Sequence, residues 1–323
     1  MNLLLKHAIH VAAAFAAAAT ASVLAQQPFQ PNLPLFAPPD DVSLRKATIL
    51  SDGSRLGAYV YSPKSATGKL PTIIMAYGWG GTMERLRTEA AKFAQAGYLV
   101  VMFDYRGWGE SEGRVVHSGA APKERSTHFT AEVTELREIR DPKADVEDLF
   151  NVMHWIQAEP QADINRIGLW GTSYGGGVAA YVAGYDHRVK TIHAQVSPLE
   201  LRVIDRLGYS DGIKRARGEL DYPKPGLVVV ANLLGAPIAE HFIGYSPATT
   251  MQLATDCALQ IVLASNEQLF DVKPVIAAFE KFPGAKKNLV TIPGIGHYDI
   301  YGKPRDEADR LALAWFDRNL RQQ

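Results

Sequence analysis

The feature that most constrains the fold of this chain is the alternation of short apolar runs with helical stretches. Residues 71–77 (PTIIMAY) and 99–104 (LVVMFD) are continuous apolar runs, which are typical of parallel strands covered on both faces. A helical pattern over 82–96 lies between them and ends at Gly97. Because parallel strands need a long crossover connection, this order predicts a parallel sheet with helices packed on it.

The alternation continues to the end of the chain. It is preceded by a predicted strand pair at 44–50 and 55–62, joined by the hairpin signal Asp52-Gly53. The predicted fold class is α/β, with a mostly parallel eight-stranded sheet, an antiparallel start and helices on both faces. The remaining predicted strands are 166–171, 189–196, 259–264 and 288–292, and the remaining predicted helices are 145–158 and 306–320.

Two stretches, residues 112–142 and residues 199–255, do not follow the alternation. The first holds a charged segment, and the second holds short helical patches with prolines and glycines. We expect both to be insertions over the carboxyl edge of the sheet, where ligands bind in open α/β folds, and we expect a small helical cap there. Residues 44–323, insertions included, are predicted to be one domain, preceded by an extended, proline-rich arm at 26–43.

The first 25 residues have the pattern of a secretory signal peptide. Lys6 and His7 precede an apolar run at 8–19, and Val23-Leu24-Ala25 places small residues at a cleavage site. The run is short and rich in alanine for a membrane span of about 20 residues, so we expect no stable membrane anchor. The predicted location is secreted or periplasmic after cleavage behind Ala25.

Composition excludes several classes of function. Lys+Arg and Asp+Glu are equal at 34 each, and no basic run or aromatic ladder suggests a nucleic-acid partner. No H-E-x-x-H or C-x-x-C pattern indicates a metal site. The stretch 107–113 (GWGESEG) is one residue too long for a dinucleotide fingerprint, so no cofactor is expected. The single cysteine, Cys257, rules out an internal disulfide and is expected to be buried.

The stretch 168–177 (GLWGTSYGGG) combines an apolar run with closely spaced glycines around one serine. Gly171 to Gly175 is a G-x-S-x-G sequence between a predicted strand and a predicted helix. A sharp turn there forces strained backbone angles on Ser173, and the glycines leave room for that turn. The hydroxyl then projects beside a helix N-terminus, whose amides can bind a developing negative charge. The pattern predicts Ser173 as a nucleophile.

A serine hydroxyl needs an imidazole base and a carboxylate that orients the base. The best base is His297, because it follows the last predicted strand and precedes the last helix, at the same sheet edge as Ser173. The other histidines of the predicted insertions, His117, His128 and His241, are expected to be surface residues rather than ligands.

The carboxylate is expected in the loop that follows the predicted strand 259–264. Glu267 and Asp271 both qualify, and Glu267 is the predicted acid because it is closer to the strand end. Asp271 is the alternative, although it can instead cap a helix that begins near residue 274. Glu200, after the preceding strand, is a third option.

On these features the chain resembles an α/β-hydrolase-fold serine hydrolase from about residue 44 to residue 320. It is similar to the branch that holds X-Pro dipeptidyl-peptidases, cocaine-esterase-like enzymes and dienelactone-hydrolase-like esterases. The chain order of serine, acid and histidine is also that of α/β-hydrolases. The motifs that carry the resemblance are SDGSRL at 51–56, GYLVV at 97–101, DYRGWGESEG at 104–113 and WGTSYGG at 170–176.

The chain departs from this branch in two places. The family loop before the acid usually reads His-Gly, followed two residues later by Asp, whereas this chain has Ala264-Ser265-Asn266-Glu267. The peptidase and cocaine-esterase members also carry a large C-terminal β-domain, which we do not expect here.

The resemblance implies an oxyanion hole with two donors. The backbone amide of Tyr174 is one donor. The second comes from the loop 77–81 (YGWGG), either as the Trp79 amide, as in many relatives, or as the Tyr77 hydroxyl, as in cocaine-esterase-like relatives. The rings of Trp79, Trp108 and Tyr174 either line the acyl pocket or simply pack.

The predicted function is a secreted serine hydrolase that cleaves carboxylic esters through a Ser-His-Glu triad and an acyl-enzyme, with no cofactor. The expected substrate is a small-molecule ester. A short peptide is the alternative, cleaved by an X-Pro-type dipeptidyl-peptidase or an aminopeptidase. Such enzymes need an acidic site for a free amino group, and no acidic cluster is evident in 112–142 or 199–255. A non-catalytic binding protein of the same fold is the third possibility.

Overall fold

A computed structural model describes residues 36–120, 127–230 and 232–321. The predicted signal peptide and residues 26–35 of the predicted arm lie outside the described residues. The rest of the arm ends earlier than predicted, because the first strand begins at Val42. In the part of the chain that the structure describes, no helix is long and apolar enough to cross a membrane.

An eight-stranded sheet forms the centre of the protein, with strand order β1-β2-β4-β3-β5-β6-β7-β8. Strand β2 pairs antiparallel with β1 and β4, and the other neighbours pair parallel. The predicted mostly parallel sheet with an antiparallel start is therefore confirmed. The strands are Val42–Ser51 (β1), Ser54–Pro63 (β2), Leu70–Ala76 (β3), Leu99–Phe103 (β4), Ala162–Thr172 (β5), Val189–Gln195 (β6), Ala258–Ala264 (β7) and Lys287–Ile292 (β8).

The predicted hairpin between the first two strands is confirmed. Asp52 and Gly53 have φ values of 44° and 81°, and two consecutive positive values are the geometry of the type I′ turn that suits a two-residue hairpin. The ladder then runs in register from Ser51 opposite Ser54 to Val42 opposite Pro63.

Helices connect the parallel strands, as the alternation predicts. One predicted helix begins earlier than expected, at Pro142 rather than at residue 145, because Asp141 caps it by accepting hydrogen bonds from the amides of residues 143 and 144. The helices are Arg87–Gln95 (α1), Pro142–Trp155 (α2), Tyr174–Tyr185 (α3), Arg202–Ala216 (α4), Val272–Lys281 (α5) and Arg305–Phe316 (α6). Shorter helical turns are Met83–Leu86, Ile156–Ala158, Ala239–Phe242, Pro247–Thr250, Met251–Leu253, Asp299–Tyr301 and Asp317–Arg321.

The core lies on both faces of the sheet. On one face, Ile74 of β3 belongs to a cluster with Leu149 of α2 and Val178 of α3. On the other face, Ile73 belongs to a cluster that contains Phe316 of α6. Because side chains alternate along a strand, β3 is apolar throughout and is covered on both sides, which is why its sequence is a continuous apolar run.

Residues 199–255, which we call the cap, combine α4 with short strands and turns. Ala236–Pro237 of the cap pairs in parallel with Ile139–Arg140, and the Trp79 indole N–H donates to the Gly235 carbonyl at 2.8 Å. The cap therefore lies against the loop that follows β3. The segment 112–142 contributes a hairpin, Val115–His117 with Val133–Glu135, and the cap contributes another, Val228–Val230 with Leu233–Leu234.

Candidate active site

Ser173 occupies a strained turn between the end of β5 and the start of α3. Its φ and ψ are 51° and −129°, a combination that L-residues avoid and that surrounding contacts must hold in place. The Ser173 amide donates to the Gln195 carbonyl of β6 at 2.9 Å, and the Ser173 carbonyl accepts from the Gly176 amide at 3.0 Å. The strain predicted from the G-x-S-x-G sequence is thus present.

Gly175, the last glycine of the serine motif, is required by a close approach of backbone. A Cβ atom at position 175 would lie 2.3 Å from the Ala76 carbonyl oxygen and 2.4 Å from the Tyr77 carbonyl oxygen, both at the end of β3. Any side chain at Gly175 would therefore push the first turn of α3 away from the sheet. This contact explains why the sequence places glycine where a helix start would otherwise take a larger residue.

The structure brings the predicted serine, histidine and glutamate into one hydrogen-bonded row. His297 Nε2 lies 3.0 Å from Ser173 Oγ. His297 Nδ1 lies 3.0 Å and 2.9 Å from the two carboxylate oxygens of Glu267. The side chains of His297 and Glu267 are only 3% and 2% exposed. With the proton assigned to Nδ1 by these contacts, Nε2 is free to accept the serine hydroxyl proton.

The loops after β7 and β8 hold this row by interlocking with each other. The His297 amide donates to Gln268 Oε1 at 3.0 Å, and the Asn266 amide donates to the Ile295 carbonyl at 2.9 Å. Glu267 Oε1 also accepts from the Leu269 amide at 2.9 Å. The base and the carboxylate therefore sit on two loops that fix each other's positions.

The other two carboxylates considered as the acid lie elsewhere. Asp271 caps α5 and accepts from the Lys273 amide at 3.0 Å, and that helix begins at Val272 rather than near residue 274. Glu200 accepts a hydrogen bond from Ser246 Oγ at 2.7 Å. Of the three, Glu267 is the carboxylate that reaches the imidazole.

The loop after β3 lies directly against the serine. A Cβ atom at Gly78 would come within 2.9 Å of Ser173 Cβ. Among the residues that the structure describes, the backbone amides of Trp79 and Tyr174 have no protein acceptor. Tyr174 directly follows Ser173 and Trp79 directly follows Gly78, so both amides are available for a developing oxyanion.

The Tyr77 side chain lies on the opposite face of the sheet from the side chains of Trp79 and Tyr174. It belongs to the core cluster on the face covered by α1 and α6, with Met83 and Trp170, whereas Trp79 and Tyr174 belong to the cluster on the opposite face. Its ring also lies 6.3 Å from that of Tyr301. The geometry therefore favours the Trp79 amide over the Tyr77 hydroxyl as the second oxyanion donor.

The three aromatic residues considered for the acyl pocket are buried between α3 and the cap. Each has its polar atom satisfied, with Trp79 Nε1 donating to Gly235, Trp108 Nε1 to the Ile139 carbonyl at 3.0 Å, and the Tyr174 hydroxyl to Asp145 at 2.8 Å. Their rings are at most 5% exposed. They serve as packing beneath the site and do not line an open cleft.

A buried ion pair beneath Tyr174 was not predicted. Arg140 is fully buried and donates from Nη1 to Asp145 Oδ2 at 3.2 Å. Its guanidinium carbon lies 4.3 Å from the ring centre of Trp108 and 4.9 Å from that of Tyr174. Burial raises the pKa of Asp145 to about 7, although the Arg140 charge opposes that shift. In the sequence, Arg140 is one cation beside a helix start, and nothing marks it as buried.

The remaining histidines of the predicted insertions are not brought to Ser173. The His117 ring packs 5.7 Å from Phe129, and His128 is exposed. His241 is less exposed than predicted, because its Nδ1 lies 2.7 Å from Asp141 in a pair that is mostly buried. The described residues contain no group of three or more His, Cys, Asp or Glu side chains arranged to hold a metal ion. Cys257 is buried, as predicted.

Comparison with known proteins identifies relatives of this chain. An Escherichia coli protein described as an uncharacterized 31.7 kDa protein in the traX-finO intergenic region is 26% identical over 286 residues, which cover 78% of this chain and 92% of the relative. The quorum-quenching protein AidA of Acinetobacter baumannii is 32% identical over 146 residues, 45% of this chain and 41% of AidA. The thiohydrolase aneE of Aspergillus aculeatus is 32% identical over 149 residues, 46% of this chain and 39% of aneE.

Solved structures share the fold over most of the chain. A hypothetical protein, PA2218, from Pseudomonas aeruginosa superposes with a TM-score of 0.69 at 20% identity, covering 90% of this chain and 100% of that one. The alpha/beta hydrolase GrgF from Penicillium superposes with a TM-score of 0.64 at 19% identity, covering 87% of this chain and 99% of GrgF.

The sequence model of the X-Pro dipeptidyl-peptidase (S15) family matches residues 52–213 of this chain. The match begins at the turn between β1 and β2, includes Ser173, and ends within α4. It covers half of the chain. The chain therefore belongs to the X-Pro dipeptidyl-peptidase (S15) family and has the α/β-hydrolase fold.

Proposed function

We propose that this protein is a serine hydrolase that cleaves carboxylic esters. The observation that carries the proposal is the unbroken contact from Ser173 Oγ through the His297 imidazole to both oxygens of Glu267, at 3.0, 3.0 and 2.9 Å. Relatives named as hydrolases and the α/β-hydrolase fold support the same reaction class.

The proposed reaction follows from these positions. His297 Nε2 removes the hydroxyl proton as Ser173 Oγ attacks the acyl carbon, and the new O–C bond forms a tetrahedral intermediate. The amides of Tyr174 and Trp79 donate to its oxyanion. His297 then protonates the leaving oxygen as its bond to the acyl carbon breaks. Water attacks the acyl carbon of the acyl-enzyme while His297 removes its proton, and His297 returns that proton to Ser173 Oγ as the acyl–serine bond breaks. The buried Glu267 carboxylate stabilises the imidazolium and fixes its orientation.

A fluorophosphonate probe tests the nucleophile. We expect stoichiometric labelling of the wild type, no labelling of Ser173→Ala, and full labelling of Ser210→Ala, a matched control at an exposed serine of α4. Labelling that persists in Ser173→Ala would contradict the assignment. Failure of the folded wild type to react would favour a non-catalytic binding protein.

A second candidate is cleavage of amides, because the family model that matches is described as an X-Pro dipeptidyl-peptidase. Such an enzyme needs an acidic side chain free to bind the amino terminus of a peptide. Several carboxylates near the cap already have partners: Glu240 pairs with Arg215, Asp141 with His241, and Glu138 accepts from the Gly226 amide at 2.7 Å. These pairings favour the ester.

A substrate panel separates these candidates. It contains p-nitrophenyl esters of increasing acyl length, acyl thioesters, because aneE is named a thiohydrolase, and aminoacyl and X-Pro p-nitroanilides. We expect kcat/KM to be highest for the oxygen esters. Preferential turnover of the anilides would replace the esterase by the peptidase, and a preference for thioesters would replace it by a thioesterase.

We also propose that the chain is exported and that its first 25 residues are removed, on the strength of the charged start, the apolar run and the Val23-Leu24-Ala25 site. Mass spectrometry of the protein recovered from outside the cytoplasm tests this. The expected mature chain begins at Gln26. A cytoplasmic protein that retains the residues before Gln26 would contradict export.

A further inference from the structure

Beneath the nucleophile, a row of polar side chains crosses the sheet through the apolar core. Each member forms a hydrogen bond with the next one, and the row runs from the edge strand β8 to the short helix that follows His297. We call it the polar relay. Its members are Asn288, Gln260, His193, Gln195, Thr172 and Tyr301.

The far half of the polar relay has one consistent direction. Asn288 Nδ2 donates to Gln260 Oε1 at 2.7 Å, and Gln260 Nε2 donates to His193 Nδ1 at 2.9 Å. His193 Nε2 faces Gln195 Oε1 at 3.4 Å. These contacts require a neutral imidazole that accepts at Nδ1 and donates at Nε2. Burial lowers the pKa of His193 to about 4, so the ring is neutral at pH 7.

The near half reaches both parts of the proposed active site. Gln195 Nε2 donates to Thr172 Oγ1 at 3.4 Å, while the Gln195 carbonyl accepts from the Ser173 amide at 2.9 Å. Thr172 directly precedes Ser173. Its hydroxyl lies 2.7 Å from the hydroxyl of Tyr301, which is on the turn that begins two residues after His297. One hydroxyl pair therefore joins the nucleophile strand to the histidine loop.

Stability alone does not explain these residue types. Thr172, His193, Gln195 and Gln260 are at most 4% exposed, and buried polar groups cost free energy unless each finds its partner. Apolar residues of similar volume would fill the same space at no such cost. What a fully satisfied polar network adds is one defined arrangement of its members.

We propose that the Thr172–Tyr301 hydroxyl pair, held from behind by the polar relay, sets the position of His297 relative to Ser173. Thr172 and Tyr301 are then positioning residues, since neither touches the reacting atoms. The inference rests on the proposed roles of Ser173 and His297. It predicts that loss of either hydroxyl impairs the proton transfer and leaves substrate binding intact.

The decisive variants remove one oxygen each. Tyr301→Phe keeps the ring that packs 6.3 Å from Tyr77, and Thr172→Val keeps the shape of the side chain. We expect each to lower kcat roughly 10-fold to 100-fold, because small displacements of a catalytic group have effects of that size, with KM unchanged. The kcat of the double variant is expected to be no lower than that of the less active single variant, because both changes break the same contact.

Two controls separate positioning from a general loss of stability. Thr172→Ser keeps the hydroxyl and is expected to retain wild-type kcat. Tyr98→Phe removes a partly buried hydroxyl that donates to Asp317 at 2.7 Å on the α6 side. It is expected to lower Tm as much as Tyr301→Phe does, without changing kcat.

The outcome also distinguishes this inference from the proposed function. If the wild type reacts with a fluorophosphonate and both Tyr301→Phe and Thr172→Val react at the same rate, the inference is overturned while the nucleophile stands. If the folded wild type does not react, both fail. Should Thr172→Val not fold, the kcat of Tyr301→Phe alone decides.

Discussion

The buried imidazole of His193 makes the stability of the fold depend on pH in a specific way. The ring is fully buried on β6, near the rings of Trp170 and Phe316. Desolvation lowers its pKa from 6.5 to about 4, and the hydrogen bond to Gln195 opposes this shift. In the unfolded chain the imidazole returns to its ordinary pKa, so the unfolded state binds the additional proton between these two values.

The sign and the size of this pH dependence follow from the linkage between proton binding and folding. Stability rises with pH wherever the unfolded state holds more protons, so the contribution of His193 is intact above pH 6.5 and is lost as the pH falls towards 4. At about 1.36 kcal/mol per unit of pKa, the pKa change from 6.5 to about 4 corresponds to a loss of about 3.4 kcal/mol of stability once the pH is well below 4. By pH 4.5 the loss is about 2.5 kcal/mol.

The assay is urea unfolding, followed by tryptophan fluorescence from pH 4.5 to pH 7.5, for the wild type and for His193→Gln. Asp104 and Asp145, whose pKa values burial raises to about 6 and about 7, contribute slopes of opposite sign. Those slopes cancel in the difference between the two proteins. As the pH falls from 7.5 to 4.5, we expect the free energy of unfolding of the wild type to decrease by about 2.5 kcal/mol relative to that of His193→Gln. A difference that stays constant within about 0.5 kcal/mol would refute the reasoning.

Three further predictions concern the site. Glu267→Gln is expected to lower kcat by about 10³-fold to 10⁴-fold, because an amide no longer favours the required tautomer. Steady-state ester hydrolysis measures this, with Asp271→Ala, which removes only a helix cap, as the control. Gly78→Ala places a Cβ 2.9 Å from Ser173 Cβ and is expected to lower kcat about 100-fold; unchanged turnover would mean that the loop is free to move away. Asp145 has a pKa raised to about 7, so its contribution to stability is lost as the pH rises from about 4 to 7. In urea titrations, the free energy of unfolding of the wild type should therefore decrease by about 2–3 kcal/mol relative to that of Asp145→Asn between pH 5 and pH 8. Parallel plots of the two unfolding free energies against pH would contradict the role of burial.

Local sequence signals were sufficient for most of the fold. Strands β3 and β4 appear as apolar runs, because parallel strands covered on both faces carry mostly apolar residues. The helix bounds were less accurate where a cap decides them, as at Asp141, whose hydrogen bonds start α2 three residues earlier than its apolar periodicity indicates.

The residues of the candidate site were accessible to sequence reasoning because each one follows a strand. Ser173, Glu267 and His297 stand after β5, β7 and β8, and the carboxyl ends of parallel strands meet at one edge. The choice between the Tyr77 hydroxyl and the Trp79 amide could not be made from the sequence. Alternation puts residues 73, 77 and 79 on one face, whereas the structure separates Tyr77 from Trp79 because β3 ends at Ala76.

The polar relay and the Arg140 pair could not be predicted from the sequence. Gln260 is the one polar residue of β7, and its contact with His193 joins residues 67 positions apart. Arg140 meets the rings of Trp108 and Tyr174, which lie on other elements of the fold. Such contacts depend on strand order and on the register between strands, and neither leaves a local pattern.

The most direct test of the account is to trap its covalent intermediate. The protein is mixed with a p-nitrophenyl ester, quenched in acid within the burst phase, digested, and analysed by mass spectrometry. The account predicts a burst of one p-nitrophenol per chain and an acyl group on Ser173 alone, with both signals absent in Ser173→Ala. Steady ester turnover with no acyl group on Ser173, or with an acyl group on another side chain, would contradict it.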